Sequence, residues 1–149
     1  EVVKFMLNFI PINPDNWRIP LSIFPSQTGF VADKMTTLAQ AFAYREFNSQ
    51  AYLIYDHQLP VGLIMYHDLP QVQAYHLSEF FIDKHYQVQG YGRQTMNQFL
   101  DNIRREKRFS AVELCILENN DLARKLYGSL GFVETGDADG DEIVFRLNL

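Results

Sequence analysis

Residues 78–92 read SEFFIDKHYQVQGYG, a strand pattern followed by a turn that contains Gly90 and Gly92. The aromatic and β-branched run at 80–82 favours the strand. A helix is predicted next, because apolar residues follow at the i, i+3, i+4, i+7 spacing of one helical face: Met96, Phe99, Leu100 and Ile103. Glycines let the backbone approach a ligand closely, and N–H groups at a helix start attract anions. The stretch therefore predicts a turn that binds a pyrophosphate.

Two well-known phosphate-binding turns can be compared with this one. A P-loop has Lys and then Ser or Thr after its last glycine, whereas Gly92 is followed by Arg93-Gln94, so a P-loop is excluded. A dinucleotide-binding turn has the pattern G-x-G-x-x-G, and its third glycine is replaced by Thr95. An acid, Glu113, does follow at about the expected 20 residues, so the turn alone leaves this second possibility open.

A second stretch, residues 120–132, reads NDLARKLYGSLGF and follows a predicted strand at 111–116. One helical face would carry its apolar side chains, Ala123, Leu126, Tyr127 and Leu130. Gly131 fits the end of that helix. The pattern Q-x-x-G-x-G, followed about 30 residues later by N-x-x-A-x-x-L-Y-x-x-L-G-F, resembles the GNAT superfamily of N-acetyltransferases, which use acetyl-CoA.

The N-terminal part is predicted to contain one strand and two helices. The strand covers 2–10, and Asn13-Pro14 opens a short helix through Trp17 that Pro20 kinks or ends. Asp33 is expected to cap the second helix. Its apolar face would consist of Met35, Leu38, Ala39 and Phe42.

The remaining pattern is mostly hairpins. A turn at Asp56-His57-Gln58 joins two strands, and Asp139-Gly140 is a strong two-residue turn signal. Strands are predicted at 51–55, 61–66, 75–82, 111–116, 132–137 and 142–147. The element order β-α-α-β-β-β-α-β-α-β-β matches the GNAT order along the chain. The resemblance implies one GNAT domain over 1–149, of class α/β (α+β), with a mixed, mostly antiparallel sheet flanked by about four helices.

Three further segments resemble bacterial spermine/spermidine acetyltransferases, which acetylate a primary amine of a polyamine. They are Phe30-Val31-Ala32 with Thr37-Leu38-Ala39-Gln40-Ala41, residues 81–87 (FIDKHYQ) and residues 142–147 (EIVFRL). Family members usually carry a basic residue between Gln87 and Gly90, where this chain has Val88-Gln89. Arg93 is then the nearest cation for the pyrophosphate, and weaker cofactor binding is expected.

The resemblance also implies where acetyl-CoA binds. The end of the strand, Phe81, Ile82 and Asp83, should separate from the next strand and expose backbone groups to the thioester and pantetheine. The pyrophosphate would lie on Gln87, Val88, Gln89, Gly90, Tyr91, Gly92 and Arg93. Asn120 would bond the pantetheine arm, although an asparagine there also serves as a helix N-cap. Tyr127 would contact the cofactor and protonate the departing thiolate; by spacing alone it is a core aromatic.

Glu79 is the predicted general base. A polyamine amine titrates near lysine's ~10.4, so only about one in 10³ is neutral at pH 7, and a carboxylate beside it can accept its proton. Strand alternation predicts Glu79 on one face with Leu77 and Phe81. A solvated carboxylate at a strand edge is the alternative. Glu46 or Glu142 would help to hold a polycation if the fold brings them near.

Composition limits the other functions. The net charge of −5 argues against nucleic acid and favours a cationic substrate. No apolar run reaches the ~18–20 residues of a membrane span, and the single Cys115 suits a reducing cytoplasm. Cys115 has no local motif that would make it a nucleophile. The four histidines lack metal-ligand spacing and residues 137–142 lack calcium-loop spacing, so no metal is expected.

The combined prediction is a cytoplasmic, homodimeric enzyme that transfers acetyl from acetyl-CoA to spermine or spermidine by direct attack of the amine on the thioester. Another small amine, an amino acid, an aminoglycoside or a protein N-terminus is the alternative substrate. A catalytically silent module that binds acetyl-CoA is the alternative from another class, and Tyr127 argues against it.

Overall fold

The computed structural model describes residues 6–149. Seven strands lie in this part: β1 (Leu7–Pro11), β2 (Gln50–Asp56), β3 (Leu59–Leu69), β4 (Ala74–Ile82), β5 (Ala111–Leu117), β6 (Val133–Asp139) and β7 (Glu142–Asn148). The α-helices described there are α1 (Lys34–Ala43), α2 (Tyr91–Glu106) and α3 (Asp121–Ser129). Short 3₁₀ turns cover Pro25–Gln27, Arg45–Phe47, Pro70–Val72 and Lys84–Tyr86.

The strands form one sheet in the order β1-β2-β3-β4-β5-β7-β6. Neighbours pair antiparallel, except that β4 and β5 are parallel. The predicted mixed, mostly antiparallel sheet is confirmed, with three α-helices rather than four in the described part. The last hairpin turns at Gly140-Asp141, one residue later than expected, because Asp139 pairs with Glu142.

The missing helix is the one predicted from Asn13 to Trp17, where the chain forms an isolated turn. The Asn13 side chain accepts the N–H groups of Asp15 and Asn16, at 2.8 and 3.0 Å, and Asn16 donates to the Pro11 carbonyl at 2.9 Å. These side-chain bonds stabilise the turn without a following helix. Part of the predicted first strand, residues 2–5, lies outside the described residues.

Helix α1 has the predicted N-cap, but the face that it turns toward the core differs from the predicted one. The Asp33 carboxylate accepts the Thr36 N–H at 2.7 Å. The buried residues are Lys34 and Thr37, whereas Met35 and Phe42 are 56% and 68% exposed. Of the predicted apolar face, Leu38 packs against the core, and the prediction is wrong for the other residues. The Lys34 ammonium donates to two carbonyls of the segment between β1 and α1. These bonds hold the face of the helix that carries Lys34 toward the interior of the protein.

A β-bulge in β4 changes which side chains of that strand share a face. Met65 of β3 pairs with Glu79 and Tyr66 pairs with Leu77, so Ser78 is an extra residue. Leu77 packs in the core beneath α2, and Phe81 packs in the cluster on the other face of the sheet. The prediction that Leu77 shares a face with Glu79 and Phe81 is therefore wrong, because the bulge interrupts the alternation between them.

The sheet opens in its middle. β4 pairs with β5 only at Ala74–His76, and from Leu77 onward the two strands separate. β5 continues to pair with β7 along its whole length. The strand separation expected at 81–83 is present and begins earlier, just before the bulge. Backbone groups of β4 on its β5 side therefore have no neighbouring strand beyond His76.

Candidate active site

A cleft of about 780 Å³ occupies the opening between the separated strands. One wall is β4 from Leu77 to Ile82, and the facing wall is β5 from Leu114 to Ile116. The start of α2 and one face of α3 close one end. Residues 26–31 of the segment between β1 and α1, hereafter the β1–α1 segment (12–33), contribute to the rim. Strand separation thus creates the site.

The start of α2 has the form of an anion site. Gly90 occupies the N-cap position with φ of +91°, a left-handed conformation that favours glycine. Gly90 has no side chain with which to cap the helix, and the first-turn N–H groups of Gly92 and Arg93 have no acceptor within the helix. A Cβ added at Gly92 would meet no protein atom within 4 Å, and Gly92 lines the cleft. Such a helix start can bind an anion such as a pyrophosphate.

The turn that precedes α2, hereafter the β4–α2 turn (83–90), is held by Gln87. The Gln87 amide donates to the Ile82 carbonyl at 2.9 Å and exchanges two hydrogen bonds of 3.0 Å with the Gln27 amide. Val88 is fully exposed with φ of +61°, an unusual conformation for a β-branched residue. The Gln87 side chain is thus engaged by protein, and its backbone remains the part to face a ligand.

Four of the predicted cofactor residues do not line the cleft: Asp83, Gln89, Gly90 and Arg93. The Asp83 carboxylate accepts the N–H groups of Ser22 and His85 at 2.8 and 2.9 Å, and its own N–H donates to the Val61 carbonyl. The Arg93 guanidinium donates to the Ser129 hydroxyl at 2.7 Å. Asp83 and Arg93 thus join elements of the fold.

The other predicted cofactor residues line the cleft: Phe81, Ile82, Gln87, Val88, Tyr91, Gly92, Asn120 and Tyr127. The Tyr91 hydroxyl donates to Asp56 at 2.6 Å, which ties the start of α2 to the β2–β3 turn. Asn120 caps α3, because its side chain accepts the Ala123 N–H at 3.2 Å. The position of Asn120 is therefore compatible with both predicted roles, a helix N-cap and a contact with the pantetheine arm.

Tyr127 is buried, with its ring packed edge-on against Phe132 at 5.5 Å between centroids. Burial, together with the negative charge of Glu79, raises the pKa of the Tyr127 phenol above its usual value. The phenol therefore carries its proton at neutral pH, as an ordinary tyrosine does, and the raised pKa makes it a weaker acid than an ordinary phenol. Glu79 and Tyr127 line the same cleft.

Glu79 lines the cleft, and its carboxylate accepts the Ala32 N–H at 3.2 Å. Burial raises the pKa of Glu79, the Ala32 hydrogen bond lowers it, and the charge of Glu142 raises it. A raised pKa makes a carboxylate a better proton acceptor than an ordinary glutamate. Neither of the two additional acids, Glu46 and Glu142, lines the cleft. The charge of Glu142 raises the pKa of Glu79, whereas Glu46 is exposed.

The sequence did not single out several residues that line the same cleft as Glu79: Ser26, Gln27 and Ser78. Cys115, for which the sequence predicts no nucleophilic role, lines it too. Burial raises the pKa of the Cys115 thiol to about 11, so it is not an activated nucleophile. Ser78 contacts His76, whose pKa burial lowers to about 4. Only the Phe30-Val31-Ala32 segment of the resemblance pointed toward this rim.

Among the helices of residues 6–149, none is long and apolar enough to cross a membrane.

Comparisons with known proteins agree with this arrangement. Residues 15–132 match the model of the acetyltransferase (GNAT) family. A probable spermine N(1)-acetyltransferase of Bacillus subtilis subsp. natto is 31% identical over 94 residues, which are 58% of this chain and 62% of the relative. The match thus spans about three fifths of that relative's length.

Two solved structures share the fold. An acetyltransferase from Thermus thermophilus has a TM-score of 0.78 at 18% identity, and the match covers 98% of this chain and 99% of the other. The spermidine N-acetyltransferase of Vibrio cholerae, solved in complex with CoA and spermine, has a TM-score of 0.72 at 18% identity. That match covers 96% of this chain and 94% of the other.

Proposed function

Because this chain belongs to the acetyltransferase (GNAT) family, we propose that it transfers the acetyl group of acetyl-CoA to a primary amine of spermine or spermidine. One observation carries the proposal: Glu79 and Tyr127 line the same cleft, at the point where β4 and β5 separate. A proton acceptor and a proton donor are the two groups that acyl transfer from a thioester to an amine requires.

Acetyl-CoA supplies an acetyl group activated as a thioester. In the proposed complex its pyrophosphate contacts the backbone of Gln87 to Arg93 at the start of α2. The pantetheine arm lies in the gap between β4 and β5, where β4 has no neighbouring strand on its β5 side beyond His76. Asn120 lies beside that gap and would contact the same arm.

Glu79 would remove the proton from the incoming ammonium. Supplying the neutral amine at pH 7 costs about 4–5 kcal/mol, which a nearby carboxylate of raised pKa reduces. The amine then attacks the thioester carbonyl. Tyr127 lines the cleft with its proton in place at neutral pH and would donate that proton to the departing thiolate.

The polyamine assignment rests on the relatives and on charge. Proteins named for spermine or spermidine acetylation occur both among sequence relatives and among structural neighbours. The net charge of −5, and the influence of Glu142 on Glu79, favour a substrate with more than one ammonium. A homodimer and a cytoplasmic location remain predictions of the resemblance.

The test measures thiol release from acetyl-CoA with spermine, spermidine and a monoamine of equal length, at low and high ionic strength. A second ammonium held by partly buried acids contributes ~0.5–3 kcal/mol, so spermidine should exceed the monoamine by about 2- to 150-fold in kcat/KM. High salt should reduce this ratio, because the attraction is partly screened.

Equal rates for the three amines at both salt concentrations would remove the polyamine assignment and leave the acetyltransferase. Extending the screen to amino acids, aminoglycosides and peptide N-termini would then find the substrate. Binding of acetyl-CoA without acetylation of any amine would favour a silent acetyl-CoA-binding module.

A further inference from the structure

The β1–α1 segment is tied directly to the β4–α2 turn. The Ser22 N–H donates to the Asp83 carboxylate at 2.8 Å, and the Lys84 N–H donates to the Ser22 carbonyl at 2.8 Å. Five residues beyond Ser22, the amides of Gln27 and Gln87 exchange two hydrogen bonds of 3.0 Å. Two parts of the chain that are some 60 residues apart thus meet at the mouth of the cleft.

The Gln27–Gln87 pair joins groups that are each fixed on their own side. The Gln27 side-chain oxygen also accepts the Phe24 N–H at 3.1 Å, within its own 3₁₀ turn. The Gln87 amide also donates to the Ile82 carbonyl at 2.9 Å, at the end of β4. A displacement of the β4–α2 turn therefore reaches the β1–α1 segment through this pair of amides.

The two ends of this connection face different parts of the cleft. Gln87 precedes the glycine turn, where the pyrophosphate would bind. Gln27 lies in the 26–31 stretch that lines the rim next to Glu79. The same segment continues to Ala32, whose N–H holds the Glu79 carboxylate.

We propose that Gln27 is a positioning residue that couples binding of CoA to binding of the acceptor amine, an inference that rests on the proposed function. CoA bound at the β4–α2 turn fixes Gln87, and the amide pair then fixes residues 26–32 and the Glu79 carboxylate. CoA and the amine then favour the same placement of this rim, so the amine binds more tightly when CoA is bound. Thermodynamic linkage makes the effect reciprocal.

Both amides are uncharged, which separates this coupling from the carboxylate effects at the same site. Charge–charge attraction between Glu79 and an ammonium changes with pH and is screened by salt. A coupling carried by two neutral amides should be nearly constant with both. The ratio of amine affinities with and without CoA is therefore its specific measure.

The experiment measures spermine binding by calorimetry, with and without saturating CoA, which has no acetyl group to transfer. In the parent protein, CoA should tighten spermine binding by about 5- to 20-fold, within the usual range for coupled sites. In Gln27→Ala the ratio should fall below about 2-fold while CoA alone binds nearly as before. Hydrogen exchange of residues 22–32 should slow on CoA binding in the parent and not in the variant.

Thr28→Ala is the matched control, because the Thr28 hydroxyl bonds the Pro25 carbonyl at 2.9 Å within the same turn and does not take part in the amide pair. It should keep the parent ratio. Gln27→Asn keeps an uncharged amide on a shorter side chain, so a ratio between those of the parent and Gln27→Ala is expected even if Gln27→Ala fails to fold. Gln87→Ala combined with Gln27→Ala should lower the ratio no further than Gln27→Ala alone.

A parent ratio near one, or equal ratios in the parent and the folded Gln27 variants, would overturn the coupling and leave the proposed function intact. Failure of the proposed function is distinguishable, because it is seen in the parent alone. A parent that does not bind CoA overturns both proposals. A parent that binds CoA but not spermine removes the polyamine assignment and this coupling with it.

Discussion

At the scale of single residues, Tyr127 is the sharpest case, since its packing and its proposed chemistry can be separated. Tyr127→Phe keeps the buried ring and its contact with Phe132 but removes the hydroxyl. We expect turnover to fall by about 10²-fold, within the range for general acid catalysis, with little change in CoA affinity or in melting temperature. Turnover equal to that of the parent would assign Tyr127 to packing alone.

The raised pKa of Glu79, to which Glu142 contributes, predicts how activity depends on pH. Transfer requires ionised Glu79, so activity should fall as pH decreases through the pKa of Glu79, which is raised above that of an ordinary glutamate. Glu142→Gln removes a negative charge that raises this pKa, and the acidic limb of the kcat/KM profile should therefore move to lower pH.

Glu46→Gln is the matched control for that profile, since Glu46 is an exposed acid that does not line the cleft. Its acidic limb should coincide with that of the parent. If the Glu142→Gln limb does not move, the proton acceptor is a group other than Glu79.

At the scale of one element, a substitution at the start of α2 should change the stability of the fold and the affinity for CoA in opposite directions. Gly92 lies in the first turn of the helix with open space around its Cα, so Gly92→Ala should stabilise the fold by ~0.5–1 kcal/mol. The same methyl group would occupy the proposed pyrophosphate cradle, so CoA affinity should fall. Calorimetric titration and thermal unfolding measure the two effects separately.

Gly90→Ala is the contrasting variant, because φ of +91° costs a side chain about 1–2 kcal/mol, and the protein should be less stable. CoA binding by Gly92→Ala as tight as that of the parent would contradict a phosphate site at this helix start.

The β4–α2 turn makes a second prediction at this scale. Val88 is fully exposed in a left-handed conformation and lies between Gln87 and Gly90, where the resemblance leads us to expect a basic residue. Val88→Lys removes a β-branch from that conformation and adds a cation beside the proposed pyrophosphate. CoA should bind about 2- to 5-fold more tightly at low salt, the effect of a surface charge, and the gain should vanish at high salt. Val88→Gln tests the loss of the β-branch alone, and an equal gain there would exclude charge as the cause.

For the whole molecule, the sheet explains why one fold brings these residues together. β5 pairs with β7 along its length but with β4 at only three residue pairs, so the gap lies inside a continuous sheet. The hydrophobic core beneath α2 includes residues of both β4 and β5, and the cluster around Phe81 packs against the opposite face beside β4. The cleft is thus open while the sheet around it is fixed.

Much of this was predictable from the sequence by itself, because it depends on short-range patterns. The apolar face of α2, the glycine turn before it and the Asn120 cap follow from helical spacing, from the small size of glycine and from local side-chain bonds. The order of the elements followed from the same signals, except for the helix predicted at 13–17. What these residues do in catalysis remains a prediction.

Only the tertiary structure decided the shape of the site. The bulge at Ser78 reverses the faces of β4, and no local pattern marks it, because it arises from pairing with β3. The burial of Lys34 rather than Phe42 depends on carbonyls at Trp17 and Ile19. The meeting of Gln27 with Gln87 likewise joins distant parts of the chain. Contacts of this kind depend on how strands and segments pack in three dimensions, which periodicity along the chain does not encode.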